Sequence, residues 1–182
     1  MSKEQATLQL LNVFRQYGYE GATLTRLSQA TGLGKASLYH YFPKGKEEMA
    51  QAVLDYMNDW METNILTPLR SPDEPATRIQ AMTNKVDELY AGGDRTCLLA
   101  VFSLGSPLFR TQIQQALTAW IDSLAQVLID AGFEPESAHH KAEDAIIQIQ
   151  GSLILARGLD NPAPFKRVLQ HLSTELCKCD RS

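Results

Sequence analysis

The chain has 182 residues, of which 44% are hydrophobic, and a formal net charge of −4; that is apolar content enough for the cores of one or two small domains. Its apolar run Leu98 to Phe102 falls far short of the ~20 residues needed to span a bilayer, and the N-terminus lacks the apolar core of a signal peptide. The composition therefore argues against a membrane protein and for residence in the cytoplasm.

The first segment, KEQATLQLLNVFRQYGYEGATL from Lys3 to Leu24, predicts a helix with Leu8, Leu11, Val13 and Phe14 facing inward and the aromatic-glycine pair Tyr17 and Gly18 near its end. The overlapping stretch TLTRLSQATGLGKASLYHYF, Thr23 to Phe42, reads as two short helices that meet at a glycine. Thr25 is the expected N-cap of the first, which turns Leu27 and Ala30 inward. Gly32 supplies the backbone freedom of the turn, and Leu33 and Leu38 hold the second helix down. Lys35, Ala36, Ser37, Tyr39 and His40 are then left outward, a mixture of small, hydroxyl, cationic and aromatic side chains that suits a DNA major groove. An ordinary helical hairpin would share the glycine, but it gives no reason for an exposed run of Lys35, Tyr39, His40, Tyr41, Lys44 and Lys46.

These residues carry a family resemblance. The run GLGKASLYHYFP, Gly32 to Pro43, closely resembles the end of the DNA-binding domain of TetR-family transcriptional regulators, and the likeness covers about the first fifty residues. Ser28 and Thr31 depart from the alanine usual in that family, and Gly34 from a frequent serine; all are small. FPKGKEEMA, Phe42 to Ala50, is similar to the F-P-x-G-K-E form of the LmrA/YxaF-type members, as are CLLAVFSLGSP (Cys97 to Pro107), Trp120 within a long helix, and QGSLILARGLDNPAPF (Gln150 to Phe165). The resemblance implies an all-α fold with a helix-turn-helix DNA-binding domain over residues 1–46 and a helical ligand-binding and dimerisation domain over 47–182. By carry-over from matching positions, Lys35, Ala36, Ser37 and Tyr39 would face bases, while Thr25, His40, Tyr41 and Lys46 would meet phosphates. Charge is placed accordingly: residues 1 to 50 carry +2 and residues 51 to 182 carry −6, so only one end attracts a polyanion.

Beyond the motif every segment reads helical. Gly45 to Ile65 puts Met49, Val53, Tyr56, Met57, Trp60 and Met61 on one stripe, and TPLRSPDEP (Thr67 to Pro75) is a proline-rich connection. Pro75 opens a helix carrying Ile79, Met82, Val86, Leu89 and Tyr90, which Ala91 to Asp94 ends. Arg95 to Leu104 predicts a short buried helix, broken at Gly105 to Pro107. Gln112 to Ala131 and Ser137 to Leu159 predict two long helices, and Pro162 to Cys177 a last one. The stretch Ile146 to Ala156 is apolar nearly all round, so it needs burial on more than one side.

That surplus makes the last two helices the expected homodimer interface, with Ile147, Gly151, Ile154, Leu155, Val168 and Leu172 as its candidates. A dimer also reads a palindromic operator in double-stranded DNA, because two reading helices on a twofold axis reach half-sites roughly 34 to 36 Å apart. Met57, Trp60, Met61, Met82, Phe102, Phe109 and Trp120 are the candidate lining of a pocket for a small apolar or aromatic effector that releases the repressor. A second mechanism would sense oxidants or electrophiles at Cys97, beside Arg95 at a helix start; Cys177 and Cys179 lie near the end of the chain. Ser103, Asp122 and His139 are scattered polar residues without a nucleophile elbow or phosphate loop, so no catalytic residue, cofactor or metal is expected. A helical enzyme or interaction protein without DNA binding is the alternative from another class.

Overall fold

The computed structural model describes residues 2–178 and is helical, with no strand among them. The helices are α1 (Lys3–Gly21), α2 (Leu24–Thr31), α3 (Lys35–Tyr41), α4 (Lys46–Met61), α5 (Pro75–Leu89), α6 (Leu98–Gly105), α7 (Arg110–Asp130), α8 (Pro135–Gly158) and α9 (Ala163–Glu175). They form two compact units. One comprises the chain up to Asp59 together with Cys97–Ile113, and the other comprises Trp60–Thr96 together with the chain from Gln114 onward.

In the first unit, α1 begins with a reciprocal cap. The Ser2 hydroxyl accepts the Gln5 amide and the Gln5 side chain accepts the Ser2 amide, so two of the helix's unpaired N–H groups are satisfied. Leu10, Leu11, Val13 and Phe14 are buried as the periodicity requires, but Leu8 is exposed and Ala6 takes the inward place one turn from Leu10. α1 packs on α2 and on α6. The α1–α6 contact is built of rings: Phe102 lies 5.5 Å from Phe14, 6.3 Å from Tyr19 and 5.3 Å from Phe109, and Tyr19 lies 5.4 Å from Phe109. α6 starts at Leu98, three residues later than the helix predicted from Arg95, because Cys97 has extended backbone and occupies the capping position. Two turns of helix cannot bury every side: Leu98, Leu99 and Phe102 face inward, whereas Leu104 is 91% exposed.

In the second unit, α9 packs on α8 and on α5. Phe165 of α9 is fully buried, its ring 6.0 Å from that of Tyr90. The predicted connection Thr67 to Pro75 is shorter than its prolines imply, since Glu62–Leu66 forms a π-turn that runs into a helical turn at Thr67–Leu69. Pro68 explains the widening: it has no N–H to give to the carbonyl four residues earlier, so the ladder loosens ahead of it. Pro75 occupies the first turn of α5 as expected.

Arg78 of α5 is a buried cation that amphipathic patterning does not reveal. Its guanidinium donates to the Leu69 carbonyl (3.1 Å) and to Asp130 at the end of α7 (2.7 Å), tying the helical turn at Leu69 and α7 to α5. The Arg78 hydrogen bond, then that of Gln126, holds the Asp130 carboxyl below the ordinary aspartate value of 3.8. A carboxylate with a lowered folded pKa adds stability above its unfolded value, and loses it as pH falls through the lowered one. The acid limb of a stability-against-pH curve should therefore be shallower in Asp130→Asn than in the parent below about pH 4, as read by urea melts at stepped pH; parallel curves would show that the pair carries no such linkage.

Candidate nucleic-acid interface

α2 and α3 form the helix-turn-helix, and polar side chains fix its turn. The N-cap of α2 is Thr23, not Thr25: Thr23 has the extended backbone a cap requires (φ −70°, ψ 153°) and its hydroxyl accepts the Arg26 amide. Thr25 is exposed in the first turn of α2. Leu27 is fully buried as expected, while Ala30 is exposed and Thr31 takes the inward place. The Thr31 hydroxyl donates to the Leu27 carbonyl (2.8 Å) and accepts the Leu33 amide (3.3 Å), and the Ser28 hydroxyl donates to the Leu33 carbonyl (2.5 Å). Both backbone groups of Leu33 are thus paired by the two residues that depart from alanine, which stiffens a turn whose hinge, Gly32, sits at φ 65° where a side chain would be strained.

The second helix, α3, anchors itself through Leu38, which is fully buried. Lys35, Ala36, Ser37, Tyr39 and His40 are exposed and Tyr41 is half-buried. The ring of Tyr39, though 45% exposed, also covers Gly45 at the start of α4. A Cβ at Gly45 would lie 3.2 Å from Tyr39 Cε1, and the backbone there has φ 70°, so close packing and left-handed geometry both call for glycine.

Cations tie the three helices around α3. Arg26 of α2 donates to the Gly21 carbonyl (2.7 Å) with its guanidinium 4.2 Å above the Tyr17 ring. Lys46 of α4 donates to the Tyr19 carbonyl (3.0 Å) with its ammonium 4.4 Å above the Tyr19 ring, and lies 3.9 Å from Glu20. Burial, then the charges of Glu47 and Glu20, raises the Tyr19 phenol above its usual value. Lys3 bonds Glu48 (3.1 Å) and sits 5.0 Å over the Phe42 ring, while Glu48 also accepts the Lys44 amide (2.9 Å). That backbone bond is the first cause of a lowered Glu48 pKa. Sequence patterning finds none of these three pairings; its only trace of them is a pair of tyrosines flanking Gly18, with no indication of which cation meets which ring.

The other candidates fall in both units. Within the first, Phe102 and Phe109 join the ring cluster on α1, and Met57 is buried with its sulfur 3.5 Å from the buried Arg15 guanidinium. Within the second, Trp60 is half-buried, Met61 is buried, and the indole N–H of the buried Trp120 meets the sulfur of Met82 at 3.3 Å. Along α8, Ile147, Gly151, Ile154 and Leu155 are exposed, at 66% and 73% for the two isoleucines; on α9 Val168 is half-buried and Leu172 buried. Cys97 is buried, and Cys179 lies outside the described residues. Ser103 belongs to the first unit and donates to its own helix at Ala100, whereas Asp122 and His139, 3.7 Å apart, belong to the second. No helix among the described residues is long and apolar enough to cross a membrane.

Comparison with known proteins finds two family matches along the chain. Residues 10–53 match the model for bacterial regulatory proteins of the tetR family, and residues 75–171 match that for the C-terminal domain of LmrA/YxaF-like transcriptional regulators. The chain is 26% identical over 173 residues to the HTH-type transcriptional regulator LmrA of Bacillus subtilis, covering 92% of each chain. It is 25% identical to the uncharacterized HTH-type regulator YxaF of the same organism, covering 94% of this chain and 93% of that one. Among solved structures, a TetR transcriptional regulator from Legionella pneumophila superposes with a TM-score of 0.82 at 22% identity, covering 94% of this chain and 95% of that one.

Proposed function

The chain belongs to the TetR family of bacterial transcriptional regulators, with a C-terminal domain of the LmrA/YxaF-like kind, and from that premise we propose that it is a homodimeric repressor which binds a palindromic operator and is released by a small apolar or aromatic compound. The observation that carries the reading is the division of α3, with Leu38 buried beneath and Lys35, Ala36, Ser37 and Tyr39 all exposed on a helix short enough to enter a major groove. Those four face bases, and Thr25, His40 and Tyr41 lie beside them for phosphates. DNA binding belongs to residues 1–46 and ligand binding and dimerisation to residues 47–182, a division of labour that differs from the compact units, since 47–59 and 97–113 pack in the first unit.

Selection of bound sequences from a random duplex pool tests this directly: a recovered palindrome supports the reading, and no enrichment over repeated rounds rejects it. On the recovered operator, Lys35→Ala and Ser37→Ala should each relax preference at particular base pairs by about 1 to 3 kcal/mol, measured by competition among single-base operator variants. Uniform weakening across all variants would make them phosphate contacts instead.

Dimerisation is supported by the exposed series Ile147, Gly151, Ile154 and Leu155, which recurs at helical spacing on one side of α8 and has no cover among the described residues. Release by a ligand is supported by the soft, adaptable surroundings of Trp120 in the second unit. Its indole N–H meets a thioether there, an acceptor that a ligand oxygen can replace with a stronger bond. Linkage then demands that the compound prefer the DNA-incompetent state; a 100-fold preference is about 2.7 kcal/mol per site, and operator DNA must weaken the compound by the same factor.

A further inference from the structure

Sequence resemblance assigns Lys46 to a DNA phosphate, but its ammonium already has work inside the protein. α1 ends with carbonyls that no later helical amide can reach, and it has no basic residue of its own in its last turn. The Gly21 carbonyl accepts the Thr23 amide, and cations from two other helices add bonds at this end. Arg26 of α2 bonds the Gly21 carbonyl while covering Tyr17, and Lys46 of α4 bonds the Tyr19 carbonyl while covering Tyr19. Each cation thus makes two contacts with α1, one to backbone and one to a ring face.

The consequence for α3 follows from what lies next to Lys46. Gly45 immediately precedes it and is covered by the ring of Tyr39, the residue after the fully buried Leu38. The start of α4 is therefore held on one side by α1, through Lys46, and presses on the other side against α3, through Gly45 and Tyr39. We infer that Lys46 is a positioning residue, a latch that fixes the start of α4 against α1 and thereby sets the angle at which α3 presents Lys35, Ser37 and Tyr39. The inference rests on the DNA-binding reading only for its effect on the operator; the latch itself belongs to the free protein.

The two roles of Lys46 leave different marks. A lost phosphate contact weakens every duplex alike and lowers the slope of log affinity against log salt by about one. A lost latch misplaces the base-reading face, so it weakens the operator and spares the non-specific duplex and the salt slope. The experiment compares the parent with Lys46→Met, which keeps the apolar stem, on two probes: the duplex recovered by selection with the parent, and a scrambled duplex of equal length. Amide hydrogen exchange of the DNA-free protein is followed in parallel.

The latch predicts a tenfold or greater loss on the selected duplex, less than twofold change on the scrambled one, an unchanged salt slope, and faster exchange of the α3 amides Leu38 to Tyr41. Lys46→Arg, which retains a cation and a donor, should restore both readouts. Equal losses on both duplexes with a salt slope lower by about one, or α3 exchange equal to that of the parent, would overturn it. Should Lys46→Met unfold globally, Lys46→Gln, which removes the cation, and Tyr19→Leu, which removes the ring beneath it, replace it, and unaltered α3 exchange in both overturns the latch. If the parent selects no duplex, the DNA-binding reading falls by itself and the exchange comparison alone decides the latch.

Discussion

Replacing Ile154 with glutamate should convert the protein from a dimer into a monomer and abolish operator binding at concentrations where the parent saturates. Ile154 is the most exposed of the α8 isoleucines; Gly151 and Ile147 lie one and two turns before it on the same side, and Leu155 follows it. In a twofold interface each substitution occurs twice, so two carboxylates enter an apolar contact that offers them no cation from these neighbours. At about 3 kcal/mol for each unpaired buried charge, the interface loses about 6 kcal/mol, or roughly four orders of magnitude in dissociation constant. A lone α3 reads a single half-site, and the second half-site's contribution disappears with the dimer. Sedimentation of parent and variant at micromolar concentration gives the association state, and titration of the selected operator gives the second effect. A variant that remains dimeric would place the interface elsewhere; a monomer that keeps parental affinity for the palindrome would deny that the dimer matters for DNA. Ile154→Ala, which removes apolar area without adding charge, should fall between the two.

The face that this experiment attacks was legible in the sequence because amphipathicity is a local property. Ile146 to Ala156 is apolar nearly all round, and one chain buries only Ile146, Ile149, Leu153 and Ala156 of that stretch's large and small apolar residues. The division of α3 was equally legible, since burial of Leu38 leaves its neighbours no alternative but solvent. What patterning misread were positions where polar groups act as structure. Thr31 displaced Ala30 from the inward face because its hydroxyl satisfies the turn, and Thr23 rather than Thr25 capped α2 because backbone geometry, not residue type, distinguishes two threonines two apart. In the sequence Lys46 reads as a DNA contact and Arg26 and Arg78 have no assigned role, yet each donates a hydrogen bond to a carbonyl at a helix end. The need for such partners follows from the unpaired carbonyls of any helix C-terminus. Which cation meets it depends on tertiary packing between helices far apart in sequence, and periodicity carries no information about that.

The same limit governs the aromatic residues, where a stripe of phenylalanine, tryptophan and methionine reads equally well as pocket or as core, and Phe102→Ala separates the two. Phe102 is fully buried and its ring lies within 6.3 Å of three others, those of Phe14, Tyr19 and Phe109. If those rings are packed as core, truncation removes the side chain's burial and leaves a cavity that rigid aromatic neighbours cannot close, a loss of about 3 to 5 kcal/mol. Against a total stability of about 5 to 15 kcal/mol that is a large fraction, and it should appear in the melting of the first unit, which contains α1 and α6, before that of the second. If instead Phe102 is the wall of a pocket with space beside it, truncation costs under about 1 kcal/mol, because the cavity already exists, and changes ligand affinity in its place. Urea melts followed by hydrogen exchange at α1 and α5 distinguish the cases, one helix reporting on each unit. The core outcome has a further consequence for DNA, since Tyr19 packs edge to face with Phe102 and also meets Lys46 through its ring face and its carbonyl. Removing Phe102 should therefore speed amide exchange in α3 as Lys46→Met does, and combining the two substitutions should give less than the sum of their separate effects on the operator, as residues acting through one contact require.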